Sequence, residues 1–171
     1  MSKPPSVLVA EDAFRQATEL ADRAMPNETG GILVGVRTPD GAWITSFREI
    51  VCAPPQRDRF LIPAGTTHRL IDELRAEDPR LGYIGDWHTH PEDVGPSGLD
   101  LATLVHLAKG MFAERRLLGL LRRKDNGWQL DLWSLGRLRR PRHATVVLTG
   151  PLAEPTSHVI AARRQETSAG G

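Results

Sequence analysis

Apolar residues along this chain follow a helical period in three segments. Within residues 11–25, Phe14 and Leu20 lie on the same helical face as several alanines, which predicts an amphipathic helix. Pro26 ends this segment, because proline cannot continue a helix. The same period predicts helices over residues 66–77 and 99–109.

Other segments are dense in apolar and β-branched residues, and we predict them as strands. The predicted strands cover residues 32–36, 43–51, 81–87, 116–123, 128–135 and 144–148. Asn126-Gly127 is a strong hairpin signal between two of them. Residues 53–63 are rich in proline and charge, which predicts a loop or an irregular hairpin. Mixed strands and helices of this kind predict an α/β (α+β) three-layer sandwich, in which helices flank a mixed central β-sheet.

Length and composition indicate one globular domain. The chain has 171 residues, of which 40% are hydrophobic and 25% are charged, as is typical of a folded domain. We predict a single domain over residues 1–149. Residues 150–171 are rich in small and polar residues, and we predict them to be a disordered tail.

Charge and cysteine content argue against several classes of protein. The net charge is +1, so no overall field favours nucleic acid or a membrane surface as a partner. Residues 137–142 are basic but contain no aromatic residue, which favours a solvated strand edge over a nucleic-acid site. Cys52 is the single cysteine, which fits a reducing, cytoplasmic setting. We find no apolar run of bilayer-spanning length and no signal-sequence core in residues 1–6.

The chemistry of the chain is concentrated in residues 85–91, which read Gly-Asp-Trp-His-Thr-His-Pro. At the end of a strand, His88 and His90 point to the same face, because side chains alternate along a strand. Asp100 follows nearby in the sequence and can add a carboxylate. Two imidazoles and one carboxylate form a zinc ligand set, and the fourth tetrahedral position that they leave open is typical of a catalytic site.

A second element of the pattern is a lone glutamate, Glu28, which lies well upstream of the histidines. It precedes an apolar strand that begins with Gly30 and Gly31, where little side-chain bulk lies beside the backbone. By position alone, Glu28 is more simply explained as a surface residue in a turn. The glycine-rich strand that follows is what favours a place in a site.

These residues form a composite motif of a glutamate before a strand, then His-x-His-Pro, then Ser-x-x-Asp. It resembles the motif of the JAMM (MPN-type) zinc metalloproteases, and is most similar to their deubiquitinase-like prokaryotic JAB-domain branch. Six residues separate His90 from Ser97 here, one fewer than in better-known members of the family. The resemblance implies the JAMM/MPN fold, which is similar to that of cytidine deaminase, and Zn²⁺ as cofactor. It implies metal ligation by His88, His90 and Asp100, general base catalysis by Glu28, and an oxyanion hydrogen bond from Ser97.

Several of these residues have a second interpretation. Ser97 and Asp100 also match a helix capping box, in which the serine caps the helix and the acidic side chain returns to the backbone; both roles are compatible. Asp86 and Thr89 either orient the ligands or are ordinary exposed residues. The spacing predicts no ligand role for Glu92, Asp93, His68, His106, His143 and His158.

The resemblance implies a zinc-dependent metallopeptidase or isopeptidase that cleaves the amide bond after the C-terminal glycine of a ubiquitin-like protein, in deconjugation or precursor processing. Its partners would be that protein or its conjugates, together with E1-like or E2-like proteins of the same system. Residues 53–63 are the predicted edge on which an extended substrate tail adds as a strand.

Three other functions share part of this pattern. A zinc deaminase would need a Pro-Cys-x-x-Cys sequence, which a single cysteine cannot supply. A non-catalytic MPN scaffold typically lacks ligands, whereas all the motif positions are filled here. A hydrolase of small peptides or of sulfur-carrier fusions would use the same site and stays open. Iron or another divalent ion is chemically compatible with these ligands.

Overall fold

The computed structural model describes residues 6–39, 41–51, 62–107, 116–135 and 140–150. These residues form eight strands and three helices. In chain order they are β1 (Ser6–Ala10), α1 (Glu11–Ala24), β2 (Gly30–Thr38), β3 (Gly41–Glu49), α2 (Thr66–Glu77), β4 (Gly82–His90), α3 (Gly98–Leu107), β5 (Leu117–Lys124), β6 (Gly127–Leu135), β7 (Pro141–His143) and β8 (Thr145–Thr149).

The strands form one mixed sheet in the order β7-β6-β5-β4-β2-β3-β1-β8. Strand β4 lies in its middle, antiparallel to β2 and parallel to β5. The predicted hairpin joins β5 to β6, and Asp125 and Asn126 have φ angles of 49° and 63° there, as a type I′ turn requires. The central position of β4 means that His88, near its end, has a neighbouring strand on each side, with Gly30 of β2 and Leu120 of β5 as its partners.

Helix α1 covers one face of the sheet. Ala13, Ala17 and Ala21 recur at helical spacing and are all buried. They belong to one apolar cluster with Leu33 of β2 and Trp87 of β4. Because the helix contributes small side chains, it can lie close to the larger ones that rise from the strands.

Helices α2 and α3 cover the opposite face. Ile32 of β2 packs against α2, whereas the adjacent Leu33 belongs to the cluster under α1. Successive side chains of a strand point to opposite faces, so α1 and α2 lie on opposite sides of the sheet. Helix α3 packs through Leu104 on Leu118 of β5, which lies on the same face as Ile32 because both are in register with Asp86. The predicted three-layer sandwich is confirmed.

Most elements predicted from the sequence are present within a few residues, and α2 has the predicted bounds. Strand β1 was not predicted; it has five residues and pairs in parallel with β3 and β8, partners that a local pattern does not report. Strand β7 is a short edge strand. It agrees with the strand edge predicted for the basic segment, of which residues 137–139 lie outside the described residues.

The predicted loop or irregular hairpin over residues 53–63 and the predicted tail over 150–171 lie outside the described residues, except for Ile62, Pro63 and Gly150. The domain boundary at residue 149 stays a prediction. In the described ranges, no helix combines the length and the apolar character needed to cross a membrane.

Candidate active site

The end of β4 presents two histidines on the face that α2 and α3 cover. Asp86, His88 and His90 alternate along this strand with Trp87 and Thr89, so the two sets point to opposite faces. Both histidines are buried. The central strand therefore brings two imidazoles side by side and shields them from bulk water.

Asp100 approaches the histidines from the first turn of α3. Its backbone N–H donates to Ser97 Oγ at 3.1 Å, and its carboxylate accepts from the Ser97 N–H at 2.6 Å. These reciprocal bonds are the capping box predicted from the sequence. The carboxylate is held with Oδ1 at 3.2 Å from His88 Nε2 and Oδ2 at 3.5 Å from His90 Nε2. Capping and contact with the histidines thus use one side chain without conflict.

The three side chains are spaced as ligands of one small metal ion. The Nε2 atoms of His88 and His90 are 3.2 Å apart, which is similar to their distances from Asp100. In a tetrahedral zinc site with bonds of about 2.0–2.1 Å, neighbouring ligand atoms are roughly 3.3 Å apart. Among the described residues, no other group of three His, Cys, Asp or Glu side chains is close enough to hold a metal. The two imidazoles and the carboxylate fit zinc.

His90 has partners at both ring nitrogens. Its Nδ1 lies 3.2 Å from the carbonyl oxygen of Val94. Because a carbonyl only accepts hydrogen bonds, Nδ1 carries a proton, and in the neutral ring Nε2 keeps its lone pair for a metal. Burial lowers the pKa of His90, but Asp100, the Val94 carbonyl and Glu28 together raise the pKa above its ordinary value.

Asp100 is an anion under ordinary conditions. Burial raises the pKa of its carboxyl group, but hydrogen bonds with both histidines, the charge of His88 and the hydrogen bond from Ser97 outweigh burial and hold the pKa well below its usual range. A metal-binding carboxylate must be deprotonated, and this one is kept so by the same neighbours that would share the metal.

Glu28 lies two residues before the start of β2, and its Oε1 is 3.8 Å from His90 Nε2. Its side chain is only 8% exposed, so it is not the surface residue of the alternative interpretation. Gly30 makes the approach possible: a Cβ at this position would lie 2.3 Å from the Trp87 carbonyl oxygen. A larger residue would push β2 away from β4 and carry Glu28 with it.

A pair of threonines joins the two strand ends that carry Glu28 and the histidines. The Thr89 N–H donates to the Thr29 carbonyl at 2.8 Å, and the Thr29 N–H donates to Thr89 Oγ1 at 2.9 Å. The Thr29 hydroxyl donates to Glu49 Oε1 at 2.7 Å. Thr89 is 1% exposed, so the alternative of an ordinary exposed residue is wrong for it.

A groove of about 460 Å³ lies between α2 and β4, on the face of the sheet that carries the histidines. Tyr83, Asp86 and Arg116 line it. The Tyr83 hydroxyl donates to Asp86 at 2.8 Å, and the Arg116 guanidinium lies 5.4 Å from the centre of the Tyr83 ring. Burial raises the pKa of Asp86, and Tyr83, Arg116 and His88 offset this only in part. Asp86 is thus a partly buried wall residue of the groove, two positions before His88.

All five residues predicted for the site lie together. Ser97 is hydrogen-bonded to Asp100, and the carboxylates of Asp100 and Glu28 lie within 4 Å of the histidine rings. Those of the residues predicted to have no ligand role that the structure describes lie outside the cluster of ligand atoms. His68 lies in the groove, and the ring of His143 packs on Trp133. Glu92 and Asp93 are exposed, and His158 is outside the described residues.

Sequence reasoning missed three contacts of the site. They are the bond between Tyr83 and Asp86, the bond between His90 and Val94, and the pairing of Thr29 with Thr89. Only the place of Thr89 between the histidines signalled the last of these. Val94 contributes a backbone carbonyl, for which its side chain gives no sequence signal.

Comparison with known proteins places the chain among JAB-domain proteins. The family described as prokaryotic homologs of the JAB domain matches residues 10–134. A Pseudomonas aeruginosa protein named CD-NTase/cGAS isopeptidase is 31% identical over 93 residues, which are 52% of this chain and 57% of that protein. An Escherichia coli protein of the same name is 26% identical over 125 residues, which are 71% of this chain and 78% of that protein. The chain thus spans little more than half the length of the first relative.

A solved structure agrees with this result at the level of the fold. The solution structure of protein DSY2949 from Desulfitobacterium hafniense superposes with a TM-score of 0.65 and 17% identity, covering 84% of this chain and 93% of that one. The family match includes every residue of the candidate site and most of the chain. This protein therefore belongs to the prokaryotic family of JAB-domain proteins.

Proposed function

We propose that this protein is a zinc-dependent isopeptidase or peptidase that cleaves the amide bond after the C-terminal glycine of a ubiquitin-like protein. The observation that carries the proposal is the ligand spacing of His88, His90 and Asp100 beside the buried carboxylate of Glu28. Membership of the JAB family and relatives named as isopeptidases support this reaction class. A cytoplasmic location is part of the proposal, supported by the single cysteine.

The proposed zinc ligands are Nε2 of His88, Nε2 of His90 and the carboxylate of Asp100. Bound zinc would polarise the scissile carbonyl and lower the pKa of a water molecule to about 7. The ligand side chains are 9–16% exposed. Because so little bulk water reaches them, the fixed charges of the site act more strongly on developing charge than they would in solution.

Glu28 is the proposed general base. Its carboxylate faces His90 and can accept a proton from the attacking water and pass it to the leaving nitrogen. The water oxygen then bonds to the carbonyl carbon, the carbon–nitrogen bond breaks, and the amine leaves with the transferred proton. No covalent intermediate with the enzyme is required, so Cys52 is not needed as a nucleophile.

Ser97 is the proposed donor to the oxyanion. Its Oγ accepts a hydrogen bond from the Asp100 N–H, so the proton of its own hydroxyl can be donated to the oxygen of the scissile carbonyl. A donor that strengthens as negative charge develops contributes about 3 kcal/mol to transition-state stabilisation. The cap thus fixes the hydroxyl beside Asp100 before substrate arrives.

The groove beside the site is the proposed binding site for an extended substrate tail. It lies between α2 and β4, and Ile62 and Pro63, which belong to the segment 53–63 that we propose as the strand-pairing edge, are among the residues that line it. An extended chain that ends in glycine is narrow enough to bring its last carbonyl to a buried ligand set. The name of the relatives adds a conjugate that contains a CD-NTase to the substrates that merit testing. E1-like and E2-like partners are proposed from the family resemblance.

The test combines metal analysis with a cleavage panel of linear C-terminal glycine fusions and lysine isopeptide conjugates. We expect about one zinc per chain in the wild type. Glu28→Gln should keep the zinc and lose about a hundredfold or more in kcat, whereas His88→Ala should lose both zinc and activity. His143→Ala is the matched control, because this exposed histidine of β7 lies outside both the ligand cluster and the residues that line the groove.

Other outcomes would redirect the proposal. A wild type that holds no metal would overturn the catalytic role and favour a non-catalytic scaffold. Cleavage of linear fusions without cleavage of isopeptide conjugates would indicate processing of peptides or sulfur-carrier fusions. Zinc binding with no cleavage of any panel member would contradict the proposed bond.

A further inference from the structure

We infer that Thr89 is a positioning residue, whose hydroxyl holds the backbone at Thr29 so that Glu28 stands beside the histidines. The inference rests on the proposed function, which gives Glu28 its role as a base. Thr89 lies between the two ligands in sequence, but its side chain points away from theirs. It acts on the site through the neighbouring strand.

The ladder of main-chain hydrogen bonds between β2 and β4 becomes irregular at Thr89. Gly30 is in register with His88, so the same register places Thr29 opposite Thr89. Regular antiparallel partners of this kind exchange two main-chain hydrogen bonds. Here the Thr89 N–H donates to the Thr29 carbonyl at 2.8 Å, but the Thr29 N–H donates to Thr89 Oγ1 at 2.9 Å. A side-chain hydroxyl has taken the place of a main-chain carbonyl.

This exchange allows β2 to leave the sheet without losing a hydrogen bond. The hydroxyl accepts from a position beside the strand, so the chain can diverge from the ladder while its N–H stays paired. The next residue outward is Glu28, whose carboxylate reaches His90. The bond from the Thr29 hydroxyl to Glu49 holds the same residue from the side of β3. Thr29 is therefore fixed by two neighbouring strands.

Burial makes the Thr89 hydroxyl necessary. Thr89 is 1% and Thr29 7% exposed, so water cannot readily replace the acceptor. Valine has nearly the same shape as threonine but offers no oxygen, and Thr89→Val would leave the Thr29 N–H unpaired. We expect the segment that carries Glu28 to move to relieve this, while the packing of β4 is preserved.

The experiment compares Thr89→Val with Thr89→Ser, which keeps the hydroxyl, and with Thr29→Val, which removes only the bond to Glu49. Amide hydrogen exchange of Thr29 is measured by NMR in the metal-free full chain, and kcat, KM and zinc content in the zinc-loaded protein. For Thr89→Val we expect Thr29 exchange about tenfold or more faster, kcat lower by about tenfold to a hundredfold, and unchanged KM and zinc content. Thr89→Ser should restore both protection and kcat, and Thr29→Val should keep the amide protected.

Two results would overturn the inference. One is wild-type exchange at Thr29 together with wild-type kcat in Thr89→Val. The other is a loss of kcat that follows a loss of zinc, since Thr89 would then support the ligands rather than Glu28. If the wild type cleaves no panel member, the proposed function fails, while exchange at Thr29 still decides whether the hydroxyl fixes this segment.

Discussion

The two faces of the central sheet are built for different purposes, and β4 takes part in both. On the α1 side, Trp87 is fully buried among apolar side chains such as Leu33 and Ile84. On the other side, His88 and His90 meet carboxylates and a backbone carbonyl. Because side chains alternate along a strand, one segment can serve the core and the chemistry at adjacent positions. Substitutions on the two faces should therefore affect different properties.

The largest effect on stability should come from the α1 face. Trp87 donates from Nε1 to the Arg48 carbonyl at 3.3 Å and meets Phe47 edge-on at a ring distance of 5.4 Å. We expect Trp87→Ala to lower the free energy of unfolding by about 3–5 kcal/mol, because a large buried cavity results. Urea unfolding followed by circular dichroism measures this loss. Trp128→Ala is the control, since Trp128 is only partly buried at the edge of the cluster, and an equal loss there would contradict the comparison.

Substitutions of Ser97 should have the next largest effect and should separate stability from activity. Its hydroxyl both caps α3 and acts in the proposed reaction. We expect Ser97→Ala to cost about 1 kcal/mol of stability through the lost cap, and about a hundredfold in kcat through the lost donor. Ser97→Asp keeps an acceptor for the cap but has no proton to donate, so it should preserve stability and still lose kcat. Kinetics and thermal unfolding of both variants measure the two roles. Full activity in Ser97→Asp would remove the proposed oxyanion role.

The smallest effect should be a change in the folding stability of the metal-free protein with pH. It arises from His90 and Asp100, on the face of the sheet that carries the histidines. The pKa of His90 is raised above 6.5, so its contribution to stability is complete below pH 6.5 and is lost as the pH rises through the raised pKa. The pKa of Asp100 is held below 3.8, so its contribution is present above pH 3.8 and is lost as the pH falls through the lowered pKa.

We therefore expect the metal-free wild type to gain most from this pair between pH 3.8 and pH 6.5. Asp100→Asn should remove the acidic loss and reduce the basic one, since the carboxylate that helps to raise the pKa of His90 is then absent. Melting temperatures across the pH range, taken with a chelator present, measure this. Profiles of the same shape for both proteins would show that the pair contributes nothing.

Local patterns predicted the elements whose partners are close in sequence or whose period is strong. The helix over residues 66–77 and the hairpin at Asn126-Gly127 were predicted correctly, because their signals lie within the segments themselves. Strand β1 was missed, since its five residues become a strand only by pairing in parallel with β3 and β8. Those contacts join segments that no short window includes.

For the site, the sequence by itself determined the types of chemical group and the side on which each β4 residue points. The period of two places His88 and His90 on one face, and the capping box aims Asp100 from the start of α3. The composite motif also predicted that Glu28 belongs with them, but only the tertiary structure shows what holds it there. Its place depends on the close approach of β2 to β4 at Gly30 and on the hydroxyl of Thr89. Such contacts arise from packing between distant segments, which no periodicity along the chain encodes.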